Sequence, residues 1–343
     1  MNQTNQSAIK RLYPLCFEPI CQYRLWGGQR LGNLNKAFAG EGIVGEVWLL
    51  SDRDDFSNRV KNGAFKGKTL GEILSSHQEG LMGKYKSCYR RFPILLKFLD
   101  ASKMISIQVH PSCSNKEYIR NNERSKTEGW IVLEAGPESC IYAGVKTGTT
   151  EQGLREALKE NRLTEYLRRF HAKQGDAFFL PSGTIHSLGD TMVFEVQENS
   201  DTTYRLYDWD RIDAKTGLPR ALQTEAAIAC ADLNPDADVG LRAPIVEAVL
   251  PVLQELVFDC RHFKLWRHSG KSPFGVGEIK EPRVLAAIKG GGYVSSAGEK
   301  YFIEKGQVIL LPAETGKCAF EPQEESIILE IALPERAKQS RSI

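Results

Sequence analysis

The stretches Gly175-Asp-Ala-Phe-Phe-Leu-Pro-Ser-Gly-Thr-Ile-His186 and Gly306-Gln-Val-Ile-Leu-Leu-Pro-Ala-Glu-Thr-Gly-Lys317 align without a gap and share glycine, leucine, proline and threonine at four positions. Each reads as a turn, an apolar run and a proline-containing turn, the punctuation of a buried β-strand. Such an internal repeat predicts two similar β units in one chain. The second copy sits among apolar runs of its own: VLAAIKG (284–290), YFIEKG (301–306), VILLP (308–312) and SIILEIAL (326–333). The copies differ at their last position, where Lys317 stands opposite His186. If His186 binds a metal, the second unit has lost it.

Outward from the first copy, short apolar runs alternate with turn signals: EVWLLS (46–51), FPILLKFLD (92–100), MISIQV (104–109), WIVLEA (130–135), DAFFLP (176–181) and MVFEVQE (192–198). This spacing predicts a mainly β sandwich or barrel. Helical periodicity is confined to three stretches, Lys68 to Met82, Thr150 to Phe170 (capped by Thr149 or Thr150) and Thr224 to Leu233, read as helical insertions over a β core. The polar ends predict a disordered tail over 1–12 and another over 336–343. Between them the expected units are 13–240, carrying the candidate site, and 241–335, without a metal.

The chain has 343 residues, with 45 Lys+Arg against 43 Asp+Glu. A net charge of +2 excludes a strongly cationic nucleic-acid surface as the main feature. The longest apolar stretch, Phe92 to Val109, is interrupted by Lys97, Asp100 and Lys103, too polar for a membrane span. The N-terminus lacks the apolar core of a signal peptide, so a cytoplasmic location is expected. Cysteines 16, 21, 88, 113, 140, 230, 260 and 318 form no C-x-x-C pair; they are expected to be reduced, Cys140 and Cys318 serving as small core residues. No phosphate loop, dinucleotide fingerprint or G-x-S-x-G elbow is present, and Gly290-Gly-Gly292 lacks the Lys-Ser/Thr of a nucleotide cradle.

The candidate chemistry lies between residues 97 and 211. In Gln108-Val-His110-Pro, alternation along an extended strand points Gln108 and His110 to one face. Glu128 enters an apolar strand, where a carboxylate is either an exposed edge residue or one neutralised by a cation. His186 follows the turn that ends the repeat strand. Taken singly, each reads as structural; together they form an O, N, O, N donor set suited to zinc or another borderline divalent ion. Downstream, Glu195-Val-Gln-Glu-Asn-Ser-Asp-Thr-Thr-Tyr-Arg205-Leu-Tyr-Asp-Trp-Asp-Arg211 is either a strand with salt-bridged surface charges or a substrate wall. In the second reading an arginine fork meets phosphate or enediolate oxygens and Glu195 moves protons between carbons.

FPILLKFLDASKMISIQVHP, KTEGW, GDAFFLPSGTIHSLG and EVQENSDTTYRLYDWDR, with GEVWLLSDR (45–53) and YRLWGG (23–28), closely resemble segments of the type I mannose-6-phosphate isomerases (phosphomannose isomerases) in their short bacterial form. The resemblance implies two cupin-type jelly-roll barrels, one zinc ion in the first, and interconversion of mannose 6-phosphate and fructose 6-phosphate through a cis-enediol. It assigns the metal to Gln108, His110, Glu128 and His186, and catalytic roles to Arg205, Glu195 and Lys126. The sugar phosphate would be held among basic residues including Lys97 and Arg211. An iron-dependent cupin oxygenase is disfavoured by Gln108 and Glu128 in the donor set; a non-catalytic sugar-phosphate-binding or regulatory cupin is the alternative. The sequence departs from the family's GESWEIS and KTECW patterns at Val47, Leu49 and Gly129, the first two near the expected cavity. Oligomeric state carries no signature.

Overall fold

A computed structural model describes residues 11–40, 42–120 and 123–334. The expected tails lie outside these residues except at Arg11 and Leu12, where Leu12 is buried and its N–H is donated to Glu314. The chain is mainly β with short helical insertions, arranged as two cupin-type barrels.

In the first half a ten-stranded sheet has the order Gly240–Arg242, Ala177–Leu180, Glu128–Val145, His186–Glu198, Ile94–Ala101, Glu46–Leu50, Ile20–Gln22 along its main path. Two long strands curl it. The run expected at 130–135 extends over Glu128–Val145, pairing through 128–132 with 193–197 and, beyond register shifts, through 140–143 with 186–189. Such shifts increase strand twist and let one pair of strands wrap around an interior. Ile107–Val109 joins the beginning of His186–Glu198 to Tyr204–Tyr207.

The second half packs a seven-stranded sheet on a four-stranded one, with Phe274, Leu285, Val294, Ile309, Phe320 and Ile328 between them. The first strand among the described residues, Leu15–Cys16, pairs with Leu310 and Ile309 in this second assembly. Alternation then shares the core: Phe98, Phe194 and Val196, on the face of the ten-stranded sheet turned away from its interior, form one cluster with Phe258, Leu265, Val284, Leu310 and Ile331. Trp130, Val132, Leu99 and Val193 occupy the opposite face, inside the first barrel.

The helices are shorter than their periodicity. Lys68 to Met82 gives two, Leu70–Ser76 and Gln78–Met82, broken at His77; the first begins in a capping box between Thr69 and Glu72. Thr150 caps Glu151–Lys159, which ends before Asn161 (φ 54°), and the remainder becomes a 3-10 turn and the strand Leu167–Phe170. Leucines spaced for a helix face there serve a turn and a strand instead. The third helix is Thr224–Cys230. Among the described residues, no helix is long and apolar enough to cross a membrane. All eight cysteines are free, and Cys140 and Cys318 are buried.

Candidate active site

Cross-strand register assembles the site. Gln108 lies opposite His186 on one neighbouring strand and opposite Arg205 on the other, so residues from three separate motifs form one row. A second row runs Trp48, Lys97, Glu195, Trp130 across four strands. Directly opposed residues share a sheet face. Glu128, two residues before Trp130, falls on that face as well. His110 lies just beyond its strand, and the Gly183 N–H donates to its carbonyl (2.8 Å), tying the turn after Val109 to the turn before His186.

Both histidines present Nε2 to the same point. His110 Nδ1 is 2.9 Å from the Thr202 carbonyl and His186 Nδ1 is 2.9 Å from the Thr184 carbonyl. A carbonyl accepts only from N–H, so each neutral ring carries its proton on Nδ1 and leaves the Nε2 lone pair free. Glu128 Oε2 lies 3.4 Å from His110 Nε2 and its Oε1 3.2 Å from His186 Nε2. One donor atom from each of the three residues falls within 4.8 Å of the others. The Gln108 amide nitrogen is 3.2 Å from His186 Nε2, and a half-turn of the amide puts its oxygen there.

The chemistry of this cluster fits a divalent cation. Glu128 is 1% exposed, and among the described residues neither of its oxygens accepts a directed hydrogen bond. A carboxylate removed from water in this way requires positive charge nearby. Lys126 Nζ, 2.8 Å from Oε2, supplies part of it. Burial alone would raise the Glu128 carboxyl, but the ammonium of Lys126 holds it well below the usual range. Burial and the Lys126 charge press His110 down to about 3, which keeps it in the neutral form a metal takes.

These donors open on a cavity of about 460 Å³ lined by Arg24, Glu46, Lys97, Gln108, Lys126, Glu128, Glu195, Asp201, Arg205 and Arg220, among others. Lys126 stands between the cluster and Glu195, 3.2 Å from His110 Nε2 and 3.7 Å from Glu195 Oε1. Burial, then the negative charge of Glu128, raises the Glu195 carboxyl to about 7. Its Oε1 and the Nε of Arg205 are buried without hydrogen-bond partners among the described residues. Burial and the neighbouring Arg220 lower the Arg205 guanidinium from its ordinary value.

The structure thus brings Gln108, Glu128, Lys126, Glu195, Arg205 and Lys97 to one chamber, with His110 and His186 buried against Glu128 at its wall. Lys97 is partly committed there, lying 3.6 Å from Glu46 and 4.6 Å from the centre of the Trp48 ring. Arg211 is not among the cavity-lining residues: its guanidinium contacts Asp208 and the Met104 carbonyl. Arg220 lines the wall while sharing Asp208, and Arg24 lines it while paired in two hydrogen bonds with Glu46. Arg24 lies in the YRLWGG segment, though nothing there singled out its side chain; Arg220 lies outside every quoted motif. Val47 and Leu49 also differ from expectation. They point into the shared core, while their neighbours Glu46 and Trp48 face the site.

The phosphomannose isomerase type I catalytic domain matches residues 17–129. Mannose-6-phosphate isomerase ManA of Bacillus subtilis is 33% identical over 92% of this chain and 98% of its own length. The chain belongs to the type I phosphomannose isomerase family. Another member, the mannose-6-phosphate isomerase of Streptococcus mutans, is 30% identical over 92% of this chain and 97% of its own. The crystal structure of the Bacillus subtilis mannose 6-phosphate isomerase superposes with a TM-score of 0.84 at 26% identity, covering 93% of this chain and 99% of that one. A zinc-bound mannose 6-phosphate isomerase shares the fold at a TM-score of 0.74 and 14% identity, covering 94% of this chain and 99% of that chain.

Proposed function

We propose that this phosphomannose isomerase family member is a zinc-dependent aldose–ketose isomerase that interconverts mannose 6-phosphate and fructose 6-phosphate through a cis-enediol. The carrying observation is the convergence of His110, Glu128 and His186 within 4.8 Å, with Glu128 at the wall of a cavity that also receives Glu195 and Arg205. Gln108, His110, Glu128 and His186 would hold one zinc per chain. When bound, zinc supplies a Lewis acid that polarises sugar oxygens.

The chain's own groups account for the proton movement. Glu195, a buried carboxyl facing the cavity with an unpartnered oxygen, takes the proton from C2 of the aldose and returns it to C1 of the enediol. Matching proton transfers between O1 and O2 complete the isomerisation without net gain or loss. Lys126 is held above its ordinary value by Glu128 and Glu195 although burial opposes this, so it serves as an ammonium and not as the base. Lys126 and Arg205 stabilise the enediolate charge, Arg205 through a fork already free of partners at Nε. Arg220, in place of Arg211, and Lys97 line the same cavity and are the cations left for the phosphate, Arg205 being used at the enediolate.

We place the protein in the cytoplasm, where its eight free cysteines persist, and propose the division at 240/241 with the metal only in the first unit. A coupled assay for fructose 6-phosphate formed from mannose 6-phosphate tests the reading. Activity should vanish on chelation and return with zinc; metal-replete protein without turnover would overturn it.

A further inference from the structure

We propose that His262, contributed by the second half of the chain, is a positioning residue for the isomerase site, acting through Glu198 on the segment that carries Lys126 and Glu128. This rests on the isomerase reading above.

Lys126 lies in an irregular segment immediately before the strand that begins at Glu128, so no strand ladder sets its place. Glu198 supplies the missing constraint. One of its oxygens accepts from the Thr127 N–H (3.0 Å), and both accept from the Ser125 hydroxyl (3.1 Å each). Its own N–H donates to the Thr127 carbonyl (3.1 Å). The carboxylate therefore grips the residues on either side of Lys126. It is itself buried, and a buried carboxylate is held in place by the donors that replace its water.

A further donor to that carboxylate comes from the other barrel. His262 Nδ1 lies 2.9 Å from Glu198 Oε1. Arg261 Nε donates to His262 Nε2 (2.8 Å), which leaves the ring proton on Nδ1, facing the carboxylate. Arg261, His262 and Glu198 thus form a chain from the second half of the molecule to the backbone around Lys126. Lys126 Nζ is 2.8 Å from Glu128 and 3.7 Å from Glu195, so slack in this chain appears at the reacting groups, where small displacements are costly in rate. His262 is neither a member of the donor cluster nor a lining residue of the main cavity.

The test compares wild-type, His262→Ala and His262→Asn proteins, each zinc-loaded and matched by circular dichroism and thermal melting. The readouts are kcat, KM for mannose 6-phosphate, zinc stoichiometry and the isotope effect with the 2-deuterated sugar. His262→Ala should lose on the order of tenfold in kcat with KM and zinc unchanged, and its isotope effect should rise because proton transfer becomes slower. His262→Asn, which returns an N–H near the Nδ1 position, should restore both. A reduced active fraction lowers kcat but leaves the isotope effect alone, so that result would overturn the positioning role, as would a His262→Ala protein with wild-type kinetics. Wild-type protein that fails to isomerise would overturn the functional reading first. If His262→Ala misfolds, Glu198→Gln, which keeps one acceptor for the Thr127 N–H, is read against the same four quantities, and unaltered turnover and isotope effect there would sink the proposal.

Discussion

At the scale of single residues the site separates charges that act from charges that brace. Arg205 has a free Nε in the cavity, whereas Arg211 is committed to Asp208 and a carbonyl. Replacing Arg205 with Lys should lower kcat about 10²- to 10³-fold, the cost of losing one oriented donor at a developing oxyanion. Arg211→Ala should leave KM for the sugar phosphate unchanged and lower only the melting temperature; steady-state kinetics and thermal melts distinguish the two. Glu46 is the bracing carboxylate of the wall: burial would raise it, but Lys97 and Arg24 hold it at about 2. A depressed folded-state value stabilises the protein fully above the unfolded value near 4.5, and that stabilisation is lost as pH falls towards 2. Its size is on the order of 3 kcal/mol. Urea midpoints of wild type and Glu46→Gln should therefore differ clearly at pH 6 and converge near pH 2.

At the scale of elements, register does what motif spacing cannot. Gln108, His186 and Arg205 are separated by up to 97 positions in the chain, yet they form one cross-strand row. Gly129 in KTEGW also finds its explanation between elements. A Cβ there would lie 2.6 Å from Cε2 of Phe258, a buried ring from the second half. The aromatic takes the room that a side chain would fill. Gly129→Cys should destabilise the protein by about 1–3 kcal/mol through overpacking, and the same change in a Phe258→Ala background should cost far less. A double-mutant cycle of urea denaturation measures the difference.

For the whole molecule, the largest core belongs to both halves. Phe98, Phe194 and Val196 pack with Phe258, Leu265, Val284 and Ile331, and Leu15–Cys16 pairs with strand residues Ile309 and Leu310. Deleting residues 241–343 would expose one entire apolar face of the ten-stranded sheet. A fragment of residues 1–240 should consequently aggregate, or bind a hydrophobic dye strongly, and lose the Glu198 anchor at His262. Size-exclusion chromatography and dye fluorescence against full-length protein provide the check.

The mainly β class, the repeat and the donor set were legible in the sequence because each rests on local pattern: alternation along a strand, turn residues at its ends, and residue types whose chemistry is the same wherever they fold. Three features were not. The committed state of Arg211 and the cavity position of Arg220 depend on which arginine reaches Asp208 from which side. The inward Glu46 and outward Val47 depend on a strand's facing, which alternation leaves ambiguous when both faces are buried. The grip of His262 on Glu198 depends on how two barrels meet. Contacts between distant segments decide all three, and only the folded chain sets those distances.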